Sequence, residues 1–441
     1  MLKYTLFPYR AEPLGPYITE EQFTLIQQSQ PLHQKMEPNI NIQFKIGMIA
    51  PKGSGKTALI SAICSEVQER LASEPLEFWP VGTTTQQAMQ RANAEFNTAI
   101  NGPNELFEVP KLQPTSDVQE YQFAVTLTET GQTIGFSVLD YPGEMLGNSD
   151  FGSQVTPFLL ESSALFVPIS SDILMYWSDT KGLVDTTNRL RNGTADMTLN
   201  CDNVILAIKN WIAHKKRLGI PAQLFFVPIK CEKYFNDNGG REDLHLKLQK
   251  AIFERYVEPL EMTAEEKLLI QTNIYYVDTY GVVELLNIEA VMAKDKDASE
   301  KVTLVPQFRR RRDQGKKRRT KNAYELLMGI LKFQVENRFK AQQRETAYLS
   351  NEKDAMTQKA NEIKNRFRIA QNKAKERKDS YSIFGSLLYT LIPDKELSRL
   401  EEEACRIYTQ VKSSEANAAF IFDQYQLSAQ QCESLKKLLI R

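Results

Sequence analysis

Histidine is scarce in this chain: His33, His214 and His245 are the only three in 441 residues, and they lie far apart. A histidine-built metal site is therefore not expected. The five cysteines (Cys64, Cys201, Cys231, Cys405 and Cys432) are odd in number, scattered and without CxxC spacing. That argues against a zinc ribbon or a disulfide framework and fits a reducing, cytoplasmic setting. Neither sign of charge is in excess, since 55 Lys plus Arg balance 55 Asp plus Glu. Whole-chain electrostatics thus point to no particular partner. No run reaches the ~18 apolar residues of a membrane span. The opening MLKYTLFPYRAEPLG lacks the apolar core of a signal peptide. A membrane partner is not expected, and the length suits two or three domains.

What is present centres on FKIGMIAPKGSGKT, from Phe44 to Thr57. Phe44 to Ile49 reads as a buried strand, and Lys56 and Thr57 open an apolar-faced helix. Ala50, Pro51, Lys52, Gly53, Ser54 and Gly55 form a tight loop between them. Strand, glycine loop and helix are the context of a phosphate-binding loop, the Walker A motif. Gly53 and Gly55 let backbone N–H groups face inward toward phosphate. The helix N-terminus adds partial positive charge there. Lys56 is expected to reach the β- and γ-phosphates, and the Thr57 hydroxyl to ligate Mg²⁺. Ala50 stands where the usual pattern has its first Gly.

Around this loop the chain divides into four parts. Residues 1–42 are read as an N-terminal extension, with Thr19 and Gln22 as a capping box. Residues 43–290 alternate helices with buried strands. That predicts an α/β P-loop NTPase sheet, mostly parallel. Its one antiparallel strand comes from a hairpin at 120–139, since Tyr121, Phe123, Val125 and Leu127 share a face. Within this part, 74–117 reads as mixed with a polar helix near 85–100, and 176–202 as an irregular surface loop. Residues 291–322 are read as a basic linker. Its run from Arg309 to Lys321 is either a solvated loop or a contact for a phosphate-rich partner, nucleic acid or anionic lipid.

Residues 323–441 are read as helical. Tyr324, Leu327, Leu331 and Val335 make a stripe expected to pack on the nucleotide domain. Met356, Ala360, Ile363, Phe367, Ala370 and Ala374 repeat every seven residues. So do Leu397, Leu400, Ala404, Ile407, Val411, Ala418, Phe422 and Tyr425. Such spacing predicts an antiparallel coiled-coil hairpin, a stalk of roughly 40 Å at about 1.5 Å per residue. A helical bundle packed on the sheet would use the same spacing. The joining segment 381–392 is apolar and reads as a buried core or a stalk tip.

The second hairpin strand runs into Asp140-Tyr141-Pro142-Gly143-Glu144. An Asp at the carboxyl end of an apolar strand, after a phosphate loop, is the expected second Mg²⁺ anchor. Gly143 can offer its N–H to a γ-phosphate. Glu144 stands where many GTPases place the Gln that orients the attacking water. Two roles stay open for it: turned away, with slow hydrolysis, or general base.

The order phosphate loop, hairpin, DxxG, strand and KxE resembles the TRAFAC-type P-loop GTPases. The DYPGE run is similar to that of bacterial YcjX-like and double-GTPase-domain proteins, over residues 44–290. The resemblance implies GTP binding with Mg²⁺, slow hydrolysis and a regulatory role acting through a protein partner or homo-oligomer, suggested in some cases to lie in bacterial defence. It implies that Lys230 and Glu232 read the base, although Ile229 replaces the usual Asn or Thr. It also implies a switch Thr on Mg²⁺ ahead of the hairpin. Thr115 is the choice, with Thr83, Thr84 and Thr85 as alternatives. An ATPase, a dynamin-like membrane machine and a non-hydrolysing scaffold are the other readings of the whole chain.

Overall fold

The computed structural model describes residues 42–439 except 73–74, 102–105, 108–116, 129–130, 132, 184–185, 235–241, 295–299, 311–319 and 383–394. Residues 1–41 of the expected extension, Thr115 and most of segment 381–392 lie outside the described residues.

Strand β1 (Ile42–Met48) leads through the glycine loop into α1 (Lys56–Leu71). There follow β2 (Leu76–Val81), α2 (Thr83–Asn101), the two-residue β3 (Leu106–Phe107) and the hairpin of β4 (Gln119–Leu127) and β5 (Thr133–Asp140). The short α3 (Thr156–Glu161) precedes β6 (Ala164–Ser170), α4 (Ser171–Thr180), α5 (Thr186–Leu199) and α6 (Cys201–Leu218). Strand β7 (Ala222–Ile229), α7 (Glu242–Ile252), α8 (Ala264–Leu269) and β8 (Ile270–Ile274) complete the series.

Among the described residues, seven of these strands form one sheet in the order β2-β4-β5-β1-β6-β7-β8. Only β4 runs against the others, pairing antiparallel with both β2 and β5. The expected α/β P-loop NTPase sheet, mostly parallel with one antiparallel strand, is thus the architecture observed. Strands β6 and β7 are buried along their whole length, as parallel strands covered on both faces must be. Alternate residues feed two cores. Leu165, Val167, Leu224 and Phe226 meet α6 and α7 on one face. Ile46, Met48, Phe166 and Phe225 meet α1 on the other. Beyond Ile274, the N–H groups of Tyr275 and Val277 still donate to Phe226 and Pro228, so pairing with β7 continues to the strand end expected from sequence.

Three stretches differ from their sequence reading. Strand β2 lies in the stretch read as mixed; every other residue is exposed at this sheet edge, so it shows no continuous apolar run. The stretch 176–202 is largely helical, because the end of α4, all of α5 and the start of α6 fall inside it. Gly193 is accommodated within α5 with open space around it. The expected basic linker is in part sheet: β9 (Val283–Lys294) and β10 (Glu300–Arg310) pair antiparallel, and β10 also pairs with β3. Arg309 is bound to Glu284, and Arg310 donates to the Ala99 carbonyl at 3.3 Å. Arg309 therefore ties β10 to β9 within the small sheet and Arg310 ties it to α2, while 311–319 lie outside the described residues.

Two long helices close the chain, α9 (Ala323–Ser382) and α10 (Lys395–Leu439). The start of α9 buries Ala323, Leu326, Leu327, Ile330, Leu331 and Val335 in the same core as Leu59, Ile60, Ile63 and Val67 of α1. Glu66 of α1 accepts the Ala323 N–H at 2.9 Å. A carboxylate at that helix start also answers its partial positive charge. Farther out the helices run antiparallel: Gln342 donates to Ser428 at 2.8 Å, Lys364 pairs with Glu415 at 2.8 Å, and Phe367 packs on Tyr408. Their seam is polar at Gln342, Thr346 and Ser428 and apolar at Ile363, Phe367, Ala370, Ile407 and Val411. Among the described side chains, which exclude Ala374, Leu397, Leu400 and Ala404, the seam departs from expectation at one place. Ile421 is half-buried while Phe422 is exposed, so the three-four spacing passes through Val411, Ser414, Ala418, Ile421 and Tyr425.

Candidate functional site

The glycine loop projects from the carboxyl end of β1 and is bounded by the ends of β5, β6 and β7. Gly53 and Gly55 have φ of 72° and 94°, in the left-handed region that favours glycine. A Cβ on Gly55 would lie 2.5 Å from Cδ1 of Ile229, whereas one on Gly53 would meet nothing within 4 Å. The loop is therefore pressed against β7 at Gly55 and open at Gly53. Ser54 is buried, and its hydroxyl donates to the Pro51 carbonyl at 2.8 Å.

Lys56 curls back over this loop, donating from Nζ to the Ala50 carbonyl at 3.3 Å. Burial holds its pKa below the ordinary lysine value, against the opposing pull of Asp140 and Glu144. Thr57 donates from its hydroxyl to Asp140 Oδ2 at 2.9 Å. Asp140 is wholly buried, and its Oδ1 accepts the Tyr141 N–H at 3.0 Å. These two residues, 83 positions apart in sequence, meet because β1 and β5 are parallel neighbours.

Gly143 lies directly against the loop: a Cβ there would stand 2.3 Å from the Lys52 nitrogen. Only a residue without a side chain allows this approach. Next to it, the exposed Glu144 pairs with Lys52 at 2.5 Å. That hydrogen bond, ahead of lesser attractions, holds the Glu144 carboxyl below the usual carboxylate range.

Lys230 has φ of 53° and bridges two strand ends. Its Nζ donates to the Gly53 carbonyl at 3.3 Å and to the Ser170 hydroxyl at 3.0 Å, and lies 3.7 Å from Asp172. Lys230, Ser170, Ile173, Tyr256 and the outer face of Lys52 to Ser54 line a cleft of about 180 Å³, walled on one side by Leu304 and Pro306 of β10. Glu232 does not line that cleft. It is buried beneath Lys230, and burial, then Asp278, raises its pKa well above the usual range.

Of the residues expected from sequence, Ala50, Lys52, Gly53, Ser54, Gly55, Lys56, Thr57, Asp140, Gly143 and Glu144 come together. Lys230 joins them through Gly53. Among the alternatives to Thr115, Thr85 is buried and its hydroxyl accepts the Gln122 N–H of β4 at 3.2 Å, which gives it a structural task. Three residues escaped the sequence reading of this site: Tyr141, Asp172 and Tyr256. Tyr141 stood inside the DYPGE run and Asp172 just after an apolar strand, so position was the available signal for both. Tyr256 had none, since the turns around it bring it to the cleft.

The donor set here suits a Mg²⁺ ion. A hydroxyl and a carboxylate side by side are the hard oxygen ligands that Mg²⁺ prefers, and Thr57 and Asp140 supply them at the mouth of the loop.

No family model matches the chain, and no curated protein matches it. Solved structures with partial likeness include dimerization-deficient Toc33 from Arabidopsis thaliana, 13% identical, covering 64% of this chain and 82% of that one at a TM-score of 0.27. The signal recognition particle receptor SRb-GTP/SRX complex from Chaetomium thermophilum is 15% identical, covering 54% and 91% at a TM-score of 0.25. The S. cerevisiae Ski7 GTPase-like domain bound to GTP is 12% identical, covering 60% and 46% at a TM-score of 0.29. Likenesses this distant say nothing about what this chain binds. No helix among the described residues is long and apolar enough to cross a membrane.

Proposed function

We propose that the chain is a GTP-binding switch that hydrolyses GTP slowly with Mg²⁺. The observation that carries this is the Thr57–Asp140 bond of 2.9 Å beside Lys56. It assembles a phosphate-charge neutraliser and two hard oxygen ligands at one loop. The N–H groups around Gly53 and Gly55 cradle phosphate oxygens, and Lys56 swings from the Ala50 carbonyl to the β- and γ-phosphates. Thr57 and Asp140 hold Mg²⁺, which when bound neutralises charge on the phosphates. Gly143, packed on the loop, senses whether a γ-phosphate is in place.

The packing of α1 against α9 supports a coupled helical hairpin. A shift of the loop moves α1, and Glu66 and Arg70 of α1 are bonded to Ala323 and Glu325 of α9. A protein partner or second copy reads that shift. Regulation within bacterial defence rests on the family resemblance alone.

The buried Glu232 favours a second reading, an ATPase in which Glu232 is structural. Guanine recognition by a carboxylate requires it ionised and facing the base, and burial opposes both. Titration of fluorescent GTP and ATP analogues, with and without Mg²⁺, separates the readings. Mg²⁺-dependent GTP binding that vanishes in Lys56→Ala is the expected result. Binding of ATP but not GTP establishes the second reading, and binding that survives Lys56→Ala overturns both.

A further inference from the structure

Tyr141 is wholly buried at the point where the DYPGE run crosses beneath the phosphate loop. Its hydroxyl accepts the Ala50 N–H at 3.2 Å. Its ring centroid lies 4.9 Å from Lys56 Nζ, a cation–π distance. The backbone of Ala50 is thus held on both sides, its N–H by Tyr141 and its carbonyl by Lys56. The Tyr141 N–H meanwhile fixes Oδ1 of Asp140, leaving Oδ2 to Thr57. On its far side the ring packs edge-on against Phe151 at 5.5 Å, in the turn that follows DYPGE. One side chain therefore touches the start of the loop, the phosphate-directed lysine and the segment beyond Gly143.

We infer that Tyr141 is a positioning residue of the nucleotide site, clamping Ala50 and Lys56 in the pose that receives phosphate and tying that pose to the turn at Phe151. The inference rests on the nucleotide-binding reading above. Chemistry makes the two contacts separable. Phenylalanine keeps the ring under Lys56 and loses the bond to Ala50; leucine loses both. Neither substitution alters the backbone N–H that orients Asp140, so the Mg²⁺ ligands stay as they are.

The test uses the full chain and the variants Tyr141→Phe and Tyr141→Leu, with Ile208→Val as a control in the same core. Four quantities are measured: thermal midpoint, affinity for fluorescent GTP and ATP analogues with and without Mg²⁺, amide exchange of peptides ending at Pro51, and reactivity of Lys56 toward an amine reagent. Tyr141→Phe should weaken nucleotide binding roughly threefold to tenfold, the scale of one neutral hydrogen bond. It should also speed exchange at Ala50. Tyr141→Leu should weaken binding further and quicken Lys56 labelling, while the ratio of affinities with and without Mg²⁺ stays at the wild-type value. The control should lower the midpoint and leave affinity unchanged. Affinity equal to wild type in both variants, or a loss no larger than that of a control with the same midpoint, overturns the positioning role. Failure of the wild type to bind any nucleotide overturns the functional reading instead. The clamp is then supported by faster Ala50 exchange and Lys56 labelling in the variants, and overturned by unchanged rates.

Discussion

Glu144 is tied to Lys52 at 2.5 Å, across the mouth of the phosphate loop. Both side chains are exposed, so the pair itself adds little to stability. Its consequence is chemical. Lys52 keeps the Glu144 carboxyl below its ordinary pKa, whereas a general base works best with a pKa near the operating pH. The pairing also occupies Oε1 of Glu144. Of the two roles open to Glu144 from sequence, the turned-away carboxylate is the one this geometry supports.

Single-turnover hydrolysis by wild type and Glu144→Gln tests that choice. The wild type should be slow and the variant as fast or faster, because an amide can donate toward the γ-phosphate as well as accept from water. A loss of roughly a hundredfold at unchanged nucleotide affinity, the scale of general-base catalysis, would make Glu144 the base.

Gly143→Ala should damage the site more than its size suggests. The new methyl would stand 2.3 Å from the Lys52 nitrogen and 2.6 Å from the Pro51 carbonyl carbon, both backbone atoms that cannot swing aside. The loop or the DYPGE turn must move, and Mg²⁺-dependent nucleotide affinity should fall by tenfold or more, about 1.4 kcal/mol. Gly152→Ala, with open space around its Cβ, is the matched control and should leave affinity unchanged. Equal affinities in the two variants would show that the close approach does not matter to binding.

The sheet and the meeting of the glycine loop with Asp140 were legible because they depend on local patterns. The apolar β1, the glycines of the loop and the Asp at the end of β5 each carry their meaning within a few residues. The small sheet was hidden by composition: Arg309 and Arg310 sit in β10 as anchors to Glu284 and Ala99, contacts no linear reading reveals. Glu232 illustrates a different limit. Its spacing from Lys230 matches a base-reading carboxylate, but burial is a property of packing, and packing turned it inward. In the helical hairpin the heptad was readable, and its phase held at Ile407, Val411, Ala418 and Tyr425 but not at Phe422. Ile421 and Phe422 are both apolar neighbours, and only the facing helix decides which one enters the seam.

That phase is testable. Ile407 is buried in the seam and Phe422 is exposed at 45%. Ile407→Ala should cost roughly 2–5 kcal/mol of hairpin stability, the range for truncating a buried Ile. Phe422→Ala should change it by no more than about 0.5 kcal/mol, as for an isolated surface site. Amide exchange along α9 and α10 reads the hairpin separately from the sheet. A larger loss from Phe422→Ala would place the seam on the other side of α10.

The last expectation concerns pH. Lys215 of α6 is buried, donating from Nζ to the Leu160 carbonyl at 2.9 Å beside the Trp211 ring. Burial lowers its pKa to about 8, with Glu161 pulling the other way. An unfolded chain holds that proton up to the ordinary lysine value of 10.5. Between those limits the unfolded state binds more protons than the folded one, so stability must rise with pH across that window. Below about 8 both states are protonated and this contribution is flat, with the cost of burying the charge fully present. Lys215→Met removes the titrating group while keeping much of the side-chain volume. The comparison is chemical denaturation of both proteins from pH 7 to 10.5. Other titrating groups are common to both and cancel in the difference. Wild type should gain on the variant steadily above about pH 8, since the slope of this term is up to about 1.4 kcal/mol per pH unit. The neighbouring His214 titrates below this window and does not disturb it. Parallel curves would mean that Lys215 keeps its proton in the folded protein, with the Leu160 carbonyl and Glu161 outweighing burial.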